Sequence, residues 1–154
     1  MNLLGIPLRK NGKPPVEKGW QDKLRPIAEL SDWSGNVGLV TGKPNNVIAV
    51  DYDVLPPARQ FLKHHPDLVR CIQRTARGVH ILFAGSGPTR RFEHGDIKGD
   101  GGYIVWPKSR VDGHEYFLIP KFDDMTNLAP FPDHLFPRET IRQVTRDVVR
   151  KVSE

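Results

Sequence analysis

Punctuation constrains this chain more than any other feature of its sequence. Short β-prone runs at residues 37–40, 47–50, 70–75, 79–84, 103–106 and 115–119 are separated by turn-forming clusters such as Thr41-Gly42-Lys43-Pro44-Asn45-Asn46 and Val111-Asp112-Gly113. Strands outnumber helices, and few of the links have room for a crossover helix. The pattern therefore predicts an α+β domain built on an antiparallel or mixed sheet with flanking helices. Runs 37–40 and 47–50 are expected to pair as a hairpin, as are 70–75 with 79–84 around Arg77-Gly78, and 103–106 with 115–119. Pro56 and Pro57 open a helix that carries Ala58, Phe61 and Leu62 on one face and stops at Pro66, and this helix should cover the apolar side of the sheet. A shorter helix is expected over 26–33, with Leu4, Ile6, Leu8 and Trp20 as apolar anchors and 85–91 as a polar loop.

The length of 154 residues fits one domain with a single core. We place a catalytic domain at 1–137 and a basic amphipathic helix at 138–154 that leads to further domains. In that helix Arg138, Arg142, Arg146 and Arg150 form a stripe opposite Ile141, Val144, Val148, Val149 and Val152, which should pack. The stripe and the net charge of +5 suit a phosphate backbone, and equally a solvated helix face. A single cysteine, Cys71, excludes an internal disulfide and a Cys₂–Cys₄ zinc site. The apolar start at 1–6 is too short for a signal peptide or a membrane span and runs into Pro7, Arg9 and Lys10, so a cytoplasmic protein with no membrane partner is expected.

Chemistry first shows where Val47-Ile48-Ala49-Val50 ends in Asp51-Tyr52-Asp53. Alternation along a strand puts Asp51 and Asp53 on one face with Cα atoms roughly 6.6 Å apart. Tyr52 joins Val50 and Ile48 on the other. Two carboxylates so placed repel unless a cation with a preference for oxygen ligands lies between them, so the pair asks for Mg²⁺ or Mn²⁺. Taken alone, the motif fits solvated strand-end residues better than a metal site. Likewise His80 by itself reads as a core or edge histidine, and Asp96 as a turn residue, although Asp100 before Gly101-Gly102 suits the turn better. Trp20, Trp33 and Trp106 read as structural. The segment Gly38 to Lys43 lacks the spacing and the hydroxyl residue of a phosphate loop.

Taken in order, Asp51-Tyr52-Asp53, Arg74-Thr75-Ala76-Arg77-Gly78-Val79-His80 and Asp96-Ile97-Lys98-Gly99-Asp100-Gly101-Gly102-Tyr103 constrain far more than they do separately. This order resembles the archaeo-eukaryotic primase superfamily, in particular the bifunctional DNA primase/polymerase (prim-pol) catalytic domains of phages, plasmids and mobile elements. Lys13-Pro14-Pro15 with Gly19-Trp20, the 37–44 segment and Gly101 to Ser109 carry the likeness over most of the chain. The resemblance implies a primase-polymerase (RRM-like) core, with Asp51, Asp53 and Asp96 as the acids that hold two Mg²⁺ or Mn²⁺ ions and His80 as a contact to the triphosphate of an incoming dNTP or NTP. Such domains are commonly followed by a helicase or a helical bundle, which is the expectation for the full-length protein here.

Where the superfamily often has Ser-x-His, this chain has Gly78-Val79-His80, so a hydroxyl contact must come from Thr75 or Ser109, or be replaced by the Gly78 amide. A cleft with three carboxylates that accepts a triphosphate also needs cations. Arg77 and Lys98 are favoured because each lies within three residues of a presumed site group, with Ser109 as a weaker nucleotide contact. Arg74 and Arg110 are as easily surface charges. The leading expectation is a template-directed nucleotidyltransferase, a DNA primase/polymerase acting on single-stranded or primed DNA. The alternatives are a metal-dependent nuclease and a catalytically idle single-stranded DNA-binding replication-initiator module.

Overall fold

Both edges of the strand that carries Asp51 are occupied, and this decides the topology. The structure is a computed structural model that describes residues 2–138 and 148–152. Its elements are β1 (Leu4–Leu8), β2 (Arg25–Pro26), β3 (Asn36–Val40), β4 (Val47–Tyr52), α1 (Leu55–His64), β5 (Cys71–Arg74), β6 (Val79–Ala84), β7 (Arg90–Phe92), β8 (Gly95–Lys98), β9 (Tyr103–Val105), β10 (Arg110–Val111), β11 (His114–Glu115) and β12 (Phe117–Asp123). A six-stranded sheet runs β12-β5-β6-β4-β8-β7, a four-stranded sheet runs β2-β1-β3-β9, and β10 with β11 forms a small hairpin. Neighbouring strands in all three are antiparallel. The fold is mixed α/β, mostly antiparallel and poor in helix, as the punctuation predicts. Among the described residues no helix is long and apolar enough to cross a membrane.

Two of the three expected hairpins are not formed. β3 and β4 meet only at the Gly42–Val47 bridge, because β1 and β9 take the edges of β3 while β6 and β8 take those of β4. Likewise β9 pairs with β3 and β12 with β5, so the Asp112-Gly113 turn closes only β10 and β11. The β5–β6 hairpin forms as expected. Segment 26–33 is helical only in part, as a 3₁₀ helix at Ile27–Leu30: Ile27 N–H donates to the Leu3 carbonyl, which draws Arg25–Pro26 onto the β1 edge. The expected loop at 85–91 contains the start of β7.

The core has two main layers. Ile48, Val50 and Tyr52 of β4 face α1, where Ala58 and Phe61 are buried with Val79, Ile81 and Phe83 of β6 and the aromatic plug Phe136. On the opposite face Val47 and Ala49 pack with Leu82 of β6 and Cys71 of β5 against Leu39 and Ile104 of the four-stranded sheet. α1 therefore covers the sheet with the face expected from its sequence. At the C-terminal end, 148–152 is helical, and Val148, Val149 and Val152 are exposed and not part of the buried core. The Phe136 cluster closes the core without them. The remainder of the expected helix, 139–147, lies outside the described residues.

β4 is gripped at its C-terminal end by close backbone approach. A Cβ on Gly78 would lie 1.8 Å from the Tyr52 carbonyl oxygen, and one on Gly95 1.8 Å from that of Asp51. Gly78→Ala is thus expected to cost at least about 2 kcal/mol through forced backbone movement. The resulting fall in Tm should be roughly 4–8 °C for a domain of this size. Gly12→Ala, whose new Cβ meets nothing nearer than 3.4 Å, should stay within about 2 °C of wild type in the same melt.

Candidate active site

Along one face of the six-stranded sheet the side chains change character between one strand position and the next. Ala49 and Leu82 are register partners inside the apolar layer between the sheets. Two residues on, the same face carries Asp51 opposite His80 on β6 and opposite Asp96 on β8. The row extends in both directions, from His80 to Gln73 on β5 and from Asp96 to Arg91 on β7. Directly paired residues on antiparallel strands share a face, with Cβ atoms about 4.5–5.5 Å apart. A single polar line, Gln73–His80–Asp51–Asp96–Arg91, therefore crosses five strands, from a buried end beneath the four-stranded sheet to an exposed end at Arg91.

Distances along this line are short. His80 Nε2 lies 3.5 Å from Asp51 Oδ1, and His80 Nδ1 lies 2.8 Å from Gln73 Nε2. Arg91 Nη1 is 3.2 Å from Asp96 Oδ1 and 4.0 Å from Asp53 Oδ2, and Lys98 Nζ is 3.8 Å from Asp96 Oδ2. Asp53 lies just beyond β4, where its N–H donates to the His94 carbonyl, and is exposed. Gln73 is fully buried, with its Nε2 also donating to the Val105 carbonyl at 2.9 Å, while its Oε1 has no partner. A buried acceptor left unpaired costs about 1–3 kcal/mol.

The acids do not share one environment. Burial works against ionisation of Asp51, yet the His80 hydrogen bond and the positive charges of Lys98 and Lys13 hold its carboxyl below the usual value. Asp53 is pushed the other way, by burial and then by the charges of Asp51 and Asp96, which Arg91 and Arg77 offset only in part. Carboxylates about 5 Å apart repel by about 3 kcal/mol at an effective dielectric near 20. An exposed ion pair contributes only about 0.2–1 kcal/mol.

The acids border a cleft of about 390 Å³, within the range of small-molecule sites. Asp51, Asp53, His80, Arg77 and Lys98 line it, whereas Asp96 stands beside them at the rim, held by Arg91 and Lys98. Ser109 does not reach the cleft. It is 2 % exposed, and its hydroxyl bonds to the N–H and carbonyl of Val37, fastening the loop after β9 to β3. Of the other hydroxyl substitutes, the Gly78 amide is spent on Thr75 Oγ1 at 3.0 Å, while Thr75 itself lines the cleft. Arg74 binds the carbonyls of Thr75 and Gly78 and so braces the turn, and Arg110 lies beside Glu115 on the surface. Asp100 accepts from the Lys43 N–H, the turn role expected of it.

Several residues at or beside the cleft were given no site role by sequence, Trp20 having been read as structural. Trp20 and Tyr103 also line the cleft and stand edge to face, 5.2 Å between centroids, and the Tyr103 hydroxyl donates to the Lys13 carbonyl. Arg91 and Gln73 gave no motif. Their only signal was alternation, which places both on the face of Asp96 and His80 once the strand pairing is known.

The donor set is the kind that Mg²⁺ or Mn²⁺ takes: hard carboxylate oxygens from neighbouring strand positions, Asp51 and Asp53 in the cleft and Asp96 beside it. In their present rotamers, no group of three or more His, Cys, Asp or Glu side chains among the described residues stands at metal-ligand spacing. Arg91 spans Asp53 and Asp96, where a cation would neutralise both. Asp51, Asp53 and Asp96 are the residues that would hold such an ion.

A family model described as bifunctional DNA primase/polymerase, N-terminal, matches residues 4–134. No curated protein matches the chain.

If Arg91 stands in for a metal, Arg91→Ala should tighten Mn²⁺ binding by the nucleotide-free protein, by up to about tenfold for the loss of one partly screened charge. Asp96→Asn should weaken it. An electron paramagnetic resonance titration reads both, and an unchanged Mn²⁺ affinity in Arg91→Ala would contradict the stand-in role.

Proposed function

Because the chain belongs to the bifunctional DNA primase/polymerase N-terminal family, and so to a nucleotidyltransferase-type lineage, we propose that this cleft joins a nucleoside triphosphate to a primer or initiating nucleotide on a single-stranded DNA template. The six-stranded sheet serves as its RRM-like catalytic core. The observation that carries the proposal is the register of β4, which brings Asp96 beside Asp51 on one edge and His80 on the other, with Asp51 and His80 lining a cleft that also holds Arg77 and Lys98. The setting that goes with the family likeness is replication of phage, plasmid or other mobile DNA in a prokaryotic cytoplasm.

Each residue has a part in the reaction. Asp51, Asp53 and Asp96 hold two Mg²⁺ or Mn²⁺ ions, which when bound activate the 3′-hydroxyl and stabilise the departing pyrophosphate. The new bond forms between the 3′-oxygen and the α-phosphorus as the bond to the β-phosphate oxygen breaks. Arg77 and Lys98 bind the triphosphate oxygens and set them in line with the attacking hydroxyl. His80 donates a hydrogen bond to the same group from the opposite side of Asp51, and Thr75 supplies the hydroxyl that position 78 cannot carry. Trp20 and Tyr103 present π-surfaces where the base enters.

The test is a labelled template with dNTPs or NTPs and Mn²⁺ or Mg²⁺, with and without a primer. Wild type should extend strands. Asp51→Asn should lower the rate at least about a hundredfold, since the metal contribution is worth several kcal/mol and each 1.4 kcal/mol is a decade. Arg77→Ala should mainly raise the nucleotide KM. Shortened strands without a nucleotide requirement point to a nuclease instead, and tight template binding in EDTA with no synthesis under either metal points to a binding module.

A further inference from the structure

The mechanism leaves Gln73 unused, although it is the most completely buried polar side chain next to the site. Its amide makes two bonds, to the Val105 carbonyl at 2.9 Å and to His80 Nδ1 at 2.8 Å, through the same terminal atom. A carbonyl oxygen only accepts, so the atom facing Val105 is the NH₂ nitrogen and not the amide oxygen. Its second hydrogen then points at His80 Nδ1, which must accept with its lone pair. The ring proton is left on Nε2, the nitrogen that faces Asp51 Oδ1 at 3.5 Å.

We propose that Gln73 is a positioning residue that locks His80 in its Nε2–H tautomer, so that the imidazole offers a hydrogen-bond donor, and never a lone pair, to an anionic oxygen in the cleft. The unpaired Oε1 of Gln73 supports this independently. A core glutamine kept for packing alone would be better replaced by Leu or Met, which fill similar space and strand no acceptor. The lock also has a fixed anchor. Val105 belongs to β9 in the four-stranded sheet, whereas Gln73 and His80 belong to the six-stranded one, so the packing of the two sheets sets the ring.

The inference rests on the triphosphate role given to His80 above, but the lock itself is measurable without catalysis. In protein labelled with ring-¹⁵N histidine, the six histidines give ring signals, and those lost in His80→Asn identify residue 80. Wild type should show a protonated Nε2 coupled to an unprotonated Nδ1. A protonated Nδ1 overturns the lock outright. Gln73→Leu, with Gln73→Met as the less demanding replacement, should give a mixture of tautomers and raise the nucleotide KM about tenfold while changing kcat less than threefold. A folded Gln73→Met protein with the wild-type spectrum and an unchanged KM overturns the positioning role. If wild type makes no product, the polymerase reading fails, while the spectra still decide the tautomer and its dependence on Gln73.

Discussion

The antiparallel register of β4 against β6 and β8 is the constraint from which the site follows. A slip of one residue in either ladder moves every β4 side chain to the opposite face. Asp51 would then enter the aromatic layer beneath α1, and Tyr52 or Val50 would take its place in the cleft. The register is held because both faces of β4 are specified. Ile48, Val50 and Tyr52 must meet Phe61 and Ile81, while Val47 and Ala49 must meet Leu82 and Ile104. The apolar half of the strand thus aligns the polar end, and hydrophobic packing fixes where the charges stand.

This explains which parts could be read from sequence. Features carried by local pattern were legible: the β5–β6 hairpin around Arg77-Gly78, the start and buried face of α1, and the split of β4 into an aliphatic face and an acidic one. The acids and His80 were legible by their order, and pairing across β6, β4 and β8 is what makes that order spatial. Long-range pairing was not legible. Val37 to Val40 looks like a natural partner for Val47 to Val50, yet each finds two better neighbours, one of them far away in sequence. Ser109 was misplaced for the same reason, since its proximity to cleft-facing residues in sequence said nothing of the Val37 backbone that claims its hydroxyl. Arg91 and Gln73 escaped notice because isolated Arg and Gln residues carry no motif. They acquire meaning only as the two ends of a line across five strands.

Position 78 shows how geometry can override the pattern of a lineage. A side chain there would meet the Tyr52 carbonyl at the very turn that ends β4. Glycine brings the β5–β6 hairpin close against the acidic strand end, at the expense of a hydroxyl. Thr75, three residues earlier in the same turn, keeps one at the cleft while its oxygen accepts the Gly78 N–H. One compact turn therefore combines a close backbone approach with a hydroxyl at the cleft.

The guanidinium that bridges Asp53 and Asp96 has a bearing on how the fold tolerates its acidic end. Bare acidic clusters oppose collapse, and many metal centres assemble only when the ion arrives. Here an internal counter-charge is supplied by the neighbouring hairpin strand. The mutual repulsion of Asp53 and Asp96 is consequently offset within the fold itself, by a side chain that arrives with the same hairpin.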